Sequence, residues 1–407
     1  MTSNRSTPLT ADVIVAGAGA VGLALAVALA RDGFSIVSLG SASASRNGRT
    51  VALLDGSVRM LRALQVWPGL EALAAPLAVM RLVDDTGSLF RVPPVNFKAS
   101  EIGLPAFGYN IENADLVESL MRVANDTVGL VRVDALLRDF HQTEGGIVVR
   151  TDGEPEIAAR LLIAADGASS PTRIMAGIAT RTTDYPQVAL TTVLLHAAPH
   201  GNVSTEFHTR EGPFTLVPLP ANDEARHRSS LVWVMTPAKA SERQSLAPLA
   251  FAQAIESQSR LLLGRVKPQG TVGRFPIRST VADRLVGTRL ALAGEAAHAL
   301  PPIGAQGLNL SFRDAATLVD HLGKARQAGL DHGSTTVLAG YERARMGDIA
   351  VRSRGVDMLN SALLSRLLPV DLLRGAGLLA LASIPAARQA VMREGLRPQH
   401  AVPSLMR

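Results

Sequence analysis

The 407-residue sequence predicts an α/β fold in three parts: a discontinuous α/β domain, an antiparallel β-sheet domain inserted in it, and a C-terminal helical tail. Three observations predict this. An apolar strand, a Gly-x-Gly-x-x-Gly turn and an apolar helix open the chain. A second strand, loop and helix occupy residues 289–328. Between them, residues 183–235 alternate short apolar runs with turns, as an antiparallel sheet does.

The elements follow in order. Residues 12–16 are compact and β-branched, so they read as a strand. Residues 20–32 are Ala- and Leu-rich and read as a buried helix, with Gly33 at its C-terminal cap. Residues 34–39 are the second strand, and the Ser/Ala-rich residues 41–48 a loop. Residues 51–65 return to helical spacing. Residues 79–83 read as a strand, Asp85-Thr86-Gly87 as a turn, and Pro93-Pro94 as a strand break. Residues 113–124 are helical. Residues 131–140, 146–151 and 156–165 read as strands; the last is nearly all apolar, as a buried parallel strand should be. Residues 188–196 and 214–218 are strands, 222–228 a charged loop and 246–263 a helix. Residues 289–293 form another apolar strand, and a helix runs from about Leu308 to Ala328.

Composition narrows the function. Hydrophobic residues are 47% and charged residues 19%, which excludes a mainly disordered chain. No Cys is present, which excludes disulfides, Cys-ligated zinc, iron–sulfur clusters and a thiol nucleophile. The nine His show no ligand-like spacing, so no metal site is expected. The formal charge is +6, and residues 341–407 carry ten Arg against five acids. That excess is too diffuse, and too poor in aromatic residues, for a nucleic-acid surface. It suits an acidic membrane surface. Residues 13–30 are uncharged, but their β-branched start and three glycines make a strand, turn and helix rather than a membrane span.

Three motifs carry the chemistry. In Gly17-Ala18-Gly19-Ala20-Val21-Gly22, missing side chains let the backbone turn tightly and approach a pyrophosphate, which the helix N-terminus then meets with free N–H groups. The bland alternative is a Gly/Ala packing turn. An acid that would hold ribose hydroxyls is expected at the end of the second strand, but Gly40 stands there. The second motif is Asp166-Gly167 at the end of a buried strand, followed by Ser169, Ser170 and Arg173. By residue type alone it reads equally as a plain strand-ending turn. The third runs from Gly294-Glu295 through His298 and Pro301-Pro302-Ile303-Gly304-Ala305-Gln306-Gly307-Leu308-Asn309 to Arg313-Asp314. Its prolines stiffen a loop, its glycines admit a flat ligand, and its helix start can stabilise negative charge on a bound ring.

In this order and over nearly the whole chain, these motifs resemble the aromatic-hydroxylase class of flavoprotein monooxygenases, which includes para-hydroxybenzoate hydroxylase. Arg49-Thr50-Val51-Ala52-Leu53, Leu64-Gln65-Val66-Trp67, the run 302–310 and the Leu-rich tail are similar to the ubiquinone-biosynthesis hydroxylases of that class. The resemblance implies an FAD-binding Rossmann-like domain over 8–80, 109–182 and 272–335. It implies a β-rich substrate domain over 81–108 and 183–271, and a helical region over 336–407. Gly17, Gly19, Ala20 and Gly22 would face the FAD pyrophosphate. Arg49 would reach the cofactor. Asp166 and Gly167 would serve FAD and the nicotinamide donor, and Gly294 and Glu295 the ribityl and phosphate region. Pro302, Gly304, Gln306, Gly307, Leu308 and Asn309 would line the isoalloxazine. His298 would act from behind the loop. Three departures bear on FAD affinity: Gly40, Glu295 in place of an Asp, and Ala114 where many relatives carry Arg.

The implied reaction uses NAD(P)H to reduce FAD and O2 to form a flavin C4a-hydroperoxide, which hydroxylates an electron-rich aromatic ring. The implied substrate is a polyprenylated phenol or benzoquinol. A base for the ring hydroxyl is sought among Tyr185, His196, His200, Glu206 and His208, with no choice between them. The tail, with Leu363, Leu364, Leu367, Leu368, Leu372, Leu373, Leu378, Leu379 and Leu381 among arginines, suits peripheral contact with the inner membrane from the cytoplasm. It suits equally a helix packed on the domain, on a second copy or in a biosynthetic complex. Two other readings remain at this stage: a hydroxylase of a small soluble aromatic, and an assembly protein that keeps the fold without catalysis.

Overall fold

The chain opens with a strand, Leu9–Ala16, a glycine turn and a helix, Ala20–Arg31. The computed structural model describes residues 9–41, 48–87, 92–153, 156–302, 304–364, 368–396 and 402–407. Ten of the twelve residues of that helix are buried. A helix apolar on all sides needs cover on all sides. The sheet covers one side here, and the helices Asn113–Asn125 and Gln306–Gln327 cover the other. Among the described residues, no single helix is long and apolar enough to cross a membrane.

The first sheet has eight strands. Its centre is parallel: Leu290–Leu292, Ile157–Ala164, Leu9–Ala16, Ile36–Leu39 and Leu130–Val133 lie side by side in that order. Ile147–Thr151 and Leu137–Gln142 add antiparallel strands beside Ile157–Ala164. The core of this layer is Ala, Leu, Val and Ile, as the scarcity of aromatics requires.

The second sheet also has eight strands and is antiparallel except where Val203–Thr209 runs parallel to Val79–Asp84. Two 17-residue strands, Thr180–His196 and Val266–Ala282, pair along their length. The expected boundaries at 182/183 and 271/272 therefore fall inside strands. Irregularities between Asp184 and Val188 and between Thr191 and Val193 let the ribbon bend on its way out of the first layer. One face of the sheet packs Leu190, Phe214, Leu231 and Trp233 under Phe251 and Ile255 of the helix Pro248–Gln258. On the other face Glu206, Thr215, Val217 and Val232 are only partly buried.

Several local readings are corrected. Residues 51–65 are not one helix: Thr50–Leu54 is a strand, and the helix is Asp55–Ala63. A short apolar run is ambiguous, and pairing with Gly108–Glu112 decides it. Residues 131–140 split into Leu130–Val133 and Leu137–Gln142, which join different neighbours. The helix predicted to reach residue 263 stops at Gln258, because Arg260 and Leu261 adopt left-handed backbone.

The tail comprises Thr335–Leu364, Leu368–Ser383 and Pro385–Leu396. Its first helix belongs to the first domain's core: Tyr341 is fully buried and donates to Leu292 O at 2.7 Å. Further on, Leu378 and Met392 pack against Val95, Phe97 and Phe107 at the edge of the second sheet. The side chains of Leu363, Leu364, Leu367, Leu368, Leu372 and Leu373, the loop residues 42–47, and Ile303 lie outside the described residues.

Candidate functional site

A cleft of about 890 Å³ opens at the carboxyl ends of the parallel strands. Gly17, Gly19, Ala20, Arg49, Asp166, Gly167, Glu295 and Leu308 all line it, brought together from three distant motifs. Ligands bind at that end of such sheets because helix starts and loops converge there.

The glycine turn is built as its spacing demands. Gly17 has φ +119°, and a Cβ there would sit 2.2 Å from Ala165 O. A Cβ on Gly22 would sit 1.8 Å from Gly17 O, so Gly22 lets the helix pack on the turn and does not line the cleft. Gly19 differs: among the described residues no atom lies within 4 Å of where its Cβ would be. It caps the helix start with no side-chain hydrogen bond and leaves room for an anion against the first N–H groups.

Gly40 also lines the cleft, with φ +132°, and a Cβ there would lie 3.0 Å from Ala18 N. The missing carboxylate is thus a matter of backbone as well as side chain. Sequence reasoning missed the polar residues nearby, Asn113 and Arg138. Arg138 is the second residue of the strand Leu137–Gln142, whose start after a break at 134–136 has no signature in residue type. Ala114 is buried, so Asn113 is the residue of that helix start that reaches the cleft. Arg49 places its guanidinium 4.3 Å from the ring centroid of Phe275, tying the cleft to the second sheet.

Asp166 accepts from Ser170 Oγ and, at 3.1 Å, from Thr172 N. Its carboxylate thus holds the following turn in place at the cleft rim. Arg173 is buried behind it and donates to Ala168 O at 3.0 Å and Ala296 O at 2.9 Å.

Gly294 has φ +65° and donates its N–H to Asp314 Oδ2 at 3.0 Å. This sharp turn presents Glu295, which is exposed in the cleft. His298 is buried and donates from Nε2 to Asp314 Oδ2 at 2.6 Å; Arg345 Nε donates to Asp314 Oδ1 at 2.7 Å. Burial alone would push the Asp314 carboxyl up, but His298 and Arg345 hold it below the usual carboxylate range.

The last motif divides. Leu308 and Ser311 face the cleft from the helix Gln306–Gln327. Pro302, Gly304, Gln306 and Gly307 are not among its lining residues. The Asn309 side chain turns inward. Its Oδ1 accepts from Leu54 N at 2.8 Å and Ser57 Oγ at 2.7 Å. Its Nδ2 donates to Ala52 O at 2.8 Å and Ala305 O at 2.6 Å. All its hydrogen-bonding capacity is used on the protein, so the side chain latches the 50–54 strand to the helix start.

The five candidate bases separate by environment. His196 donates to Ala198 O at 2.8 Å and meets Ser229 Oγ at 2.9 Å. His200 donates to Leu219 O and accepts from Asn202 N. Burial pushes both imidazoles below their usual range. Tyr185 donates to Asp357, and burial with that carboxylate pushes its phenol well up. His208 pairs with Glu206 Oε1 at 2.8 Å, and Glu206 lies on the partly buried face of the second sheet.

The cleft therefore offers an uncapped helix start over glycines, the first turn of a second helix at Leu308, and Arg49. These features fit a dinucleotide carrying a flat ring. The family model described as FAD binding domain matches residues 10–349. The chain belongs to this FAD-binding family. It is 33% identical over 406 residues to ubiquinone hydroxylase UbiL of Rhodospirillum rubrum, covering 95% of this chain and 89% of that protein. It is 31% identical over 379 residues to 3-demethoxyubiquinol 3-hydroxylase of Escherichia coli, covering 91% and 94%. The fold matches the crystal structure of p-nitrophenol 4-monooxygenase PnpA from Pseudomonas putida DLL-E4 with a TM-score of 0.79. That match is at 17% identity and covers 97% of this chain and 100% of that one. The glycine turn, the Asp166 turn and Glu295, Leu308 and Ser311 line one cleft of this FAD-binding chain.

Proposed function

We propose that this chain is an FAD-dependent monooxygenase that hydroxylates the aromatic ring of a polyprenylated phenol or benzoquinol in ubiquinone biosynthesis, using NAD(P)H and O2. The observation that carries this reading is the similarity, along nearly the whole chain, to two hydroxylases named for ubiquinone compounds. The cleft supports it, since its lining comes from all three motifs.

FAD, when bound, would supply electron transfer from NAD(P)H and activation of O2. The chain's own residues bind and orient. Gly17 and Gly19 admit the pyrophosphate to the helix start at Ala20. Arg49 and Glu295 border the cofactor's polar middle. The helix start near Leu308 favours negative charge on the ring. The partly buried face carrying Glu206, Thr215, Val217 and Val232 suits the substrate ring, and the Glu206–His208 pair gives that face an acid–base group.

The tail supports contact with a membrane. Gly375–Ser383 and Pro385–Gly395 meet at a bend of 103°, and Leu379, Ile384 and Val391 are exposed on them. Apolar side chains beside Arg393 suit an acidic lipid interface.

The test combines three measurements. Purified protein should keep oxidised-flavin absorption through gel filtration. NAD(P)H oxidation should rise with a prenylated phenol, and mass spectrometry should show one oxygen atom added to it. Flotation with anionic vesicles should carry the protein upward. A protein that binds no FAD in excess cofactor would sink the enzymatic reading. Turnover of short soluble phenols alone would move the substrate to that class.

A further inference from the structure

A chain of charged groups runs behind the helix start at Gln306. It begins with the His298–Asp314–Arg345 set already described. Arg345 Nη1 then donates to Asp348 Oδ2 at 2.7 Å, and Arg313 Nη1 reaches the same oxygen at 3.0 Å. Arg352 Nε donates to Asp348 Oδ1 at 2.9 Å, and its Nη1 donates to Gln306 Oε1 at 2.7 Å. The Gln306 amide then turns back on its own loop, donating to Gly304 O at 3.1 Å.

The charges in this chain do not cancel. Three guanidiniums face two carboxylates, which leaves one positive charge in excess among these five groups. The set is buried at one end and partly shielded at the other: side-chain exposure is 0% for Asp314 and 3% for Arg345, against 13% for Arg352, 16% for Arg313 and 21% for Asp348. Asp314 is matched by Arg345, whereas Asp348 is shared among three arginines. The excess therefore sits at the Arg313–Arg352 end, beside Gln306. Coulomb interactions there are screened far less than at a surface.

Gln306 is the first residue of a 22-residue helix whose N-cap, Ala305, has left-handed backbone and makes no side-chain cap hydrogen bond. Two residues further on, Leu308 lines the FAD cleft. The glycine turn at Gly17 serves the pyrophosphate, so this second helix start faces the ring portion. A flavin ring gains negative charge on two-electron reduction.

We infer that Arg352 is a positioning residue that holds Gln306 and adds a partly buried positive charge behind the helix start, raising the reduction potential of bound FAD. The tail helix Thr335–Leu364 thereby tunes a cofactor it does not touch. The inference rests on the FAD part of the proposed function and on nothing about the substrate.

The test is the midpoint potential of bound FAD, measured by spectroelectrochemistry without substrate. Arg352→Gln should shift the equilibrium between oxidised and reduced flavin about tenfold toward oxidised, or about 30 mV for a two-electron couple. Arg352→Lys should restore most of the shift. Asp348→Asn removes a negative charge and should move the potential the opposite way. Sulfite, whose addition leaves negative charge on the ring, should bind Arg352→Gln more weakly. If Arg352→Gln does not fold, Gln306→Glu neutralises the same guanidinium and should lower the potential. An unchanged potential, or shifts of the same sign in Arg352→Gln and Asp348→Asn, would overturn the inference, because loosening alone has no charge sign. A wild-type protein without bound flavin would overturn the FAD reading itself.

Discussion

Arg173 joins two cleft segments that lie far apart in the chain: its guanidinium donates to Ala296 O at 2.9 Å, while its backbone N–H donates to Ser170 Oγ in the turn after Asp166 at 3.0 Å. A buried cation with backbone carbonyls as partners fixes both loops at once. Removing it leaves those carbonyls without a donor.

Arg173→Met should therefore destabilise the fold by about 2–4 kcal/mol and weaken FAD binding together. Thermal unfolding with and without FAD measures both. Unchanged stability with weakened FAD binding would instead place Arg173 on the cofactor directly.

The two leading glycines should respond differently. Gly17→Ala forces a Cβ to 2.2 Å from Ala165 O at a φ of +119°, so the apoprotein should unfold at lower temperature. Gly19→Val fills open cleft instead. Its apoprotein should be less affected, while FAD affinity measured by flavin fluorescence should fall at least tenfold. Equal losses of apoprotein stability in both would deny that Gly19 is kept open for a ligand.

Asp314 sits at the centre of a buried ion network, and Asp314→Asn should cost about 3–5 kcal/mol by leaving the buried Arg345 with only Asp348, which it shares with two other arginines. The carboxyl is held below its usual range in the folded state. Its contribution is therefore complete above the unfolded pKa and is lost as pH falls from about 4 toward the folded value. Denaturant titrations should show wild-type stability falling below about pH 4, and a weaker fall in Asp314→Asn.

His196 and His200 act with the opposite sign of charge. Burial, with neighbouring imidazoles adding to it, lowers both pKa values in the folded protein. The unfolded chain then binds more protons below about pH 6.5, so stability is full above that value and declines as pH falls. His200→Gln should flatten part of the decline between about pH 7 and 5. A slope identical to wild type would show that His200 does not contribute.

Much of the cleft's lining was legible because its rules are local. Gly17-x-Gly19-x-x-Gly22 after a strand constrains the backbone within a few residues, and the structure puts Gly17, Gly19 and Ala20 in the cleft. Asp166-Gly167 and Gly294-Glu295 follow buried parallel strands, and strand ends in such a sheet share one edge. The misreading at residues 51–65 has the same origin. A five-residue apolar run carries no period, and its partner strand begins only at Gly108.

The sequence by itself determined the α/β layers, the glycine turn and the loops that end at the cleft, since steric limits and apolar periodicity act between near neighbours. Only the tertiary structure decided that Asn309 turns from the ring to the strand 50–54, that Gly40 lies against Ala18, and that Arg352 reaches Gln306. Each depends on atoms brought together from separate segments, as Leu54 and Asn309 are from 255 residues apart, and hydrogen-bond direction at such a meeting is set by packing.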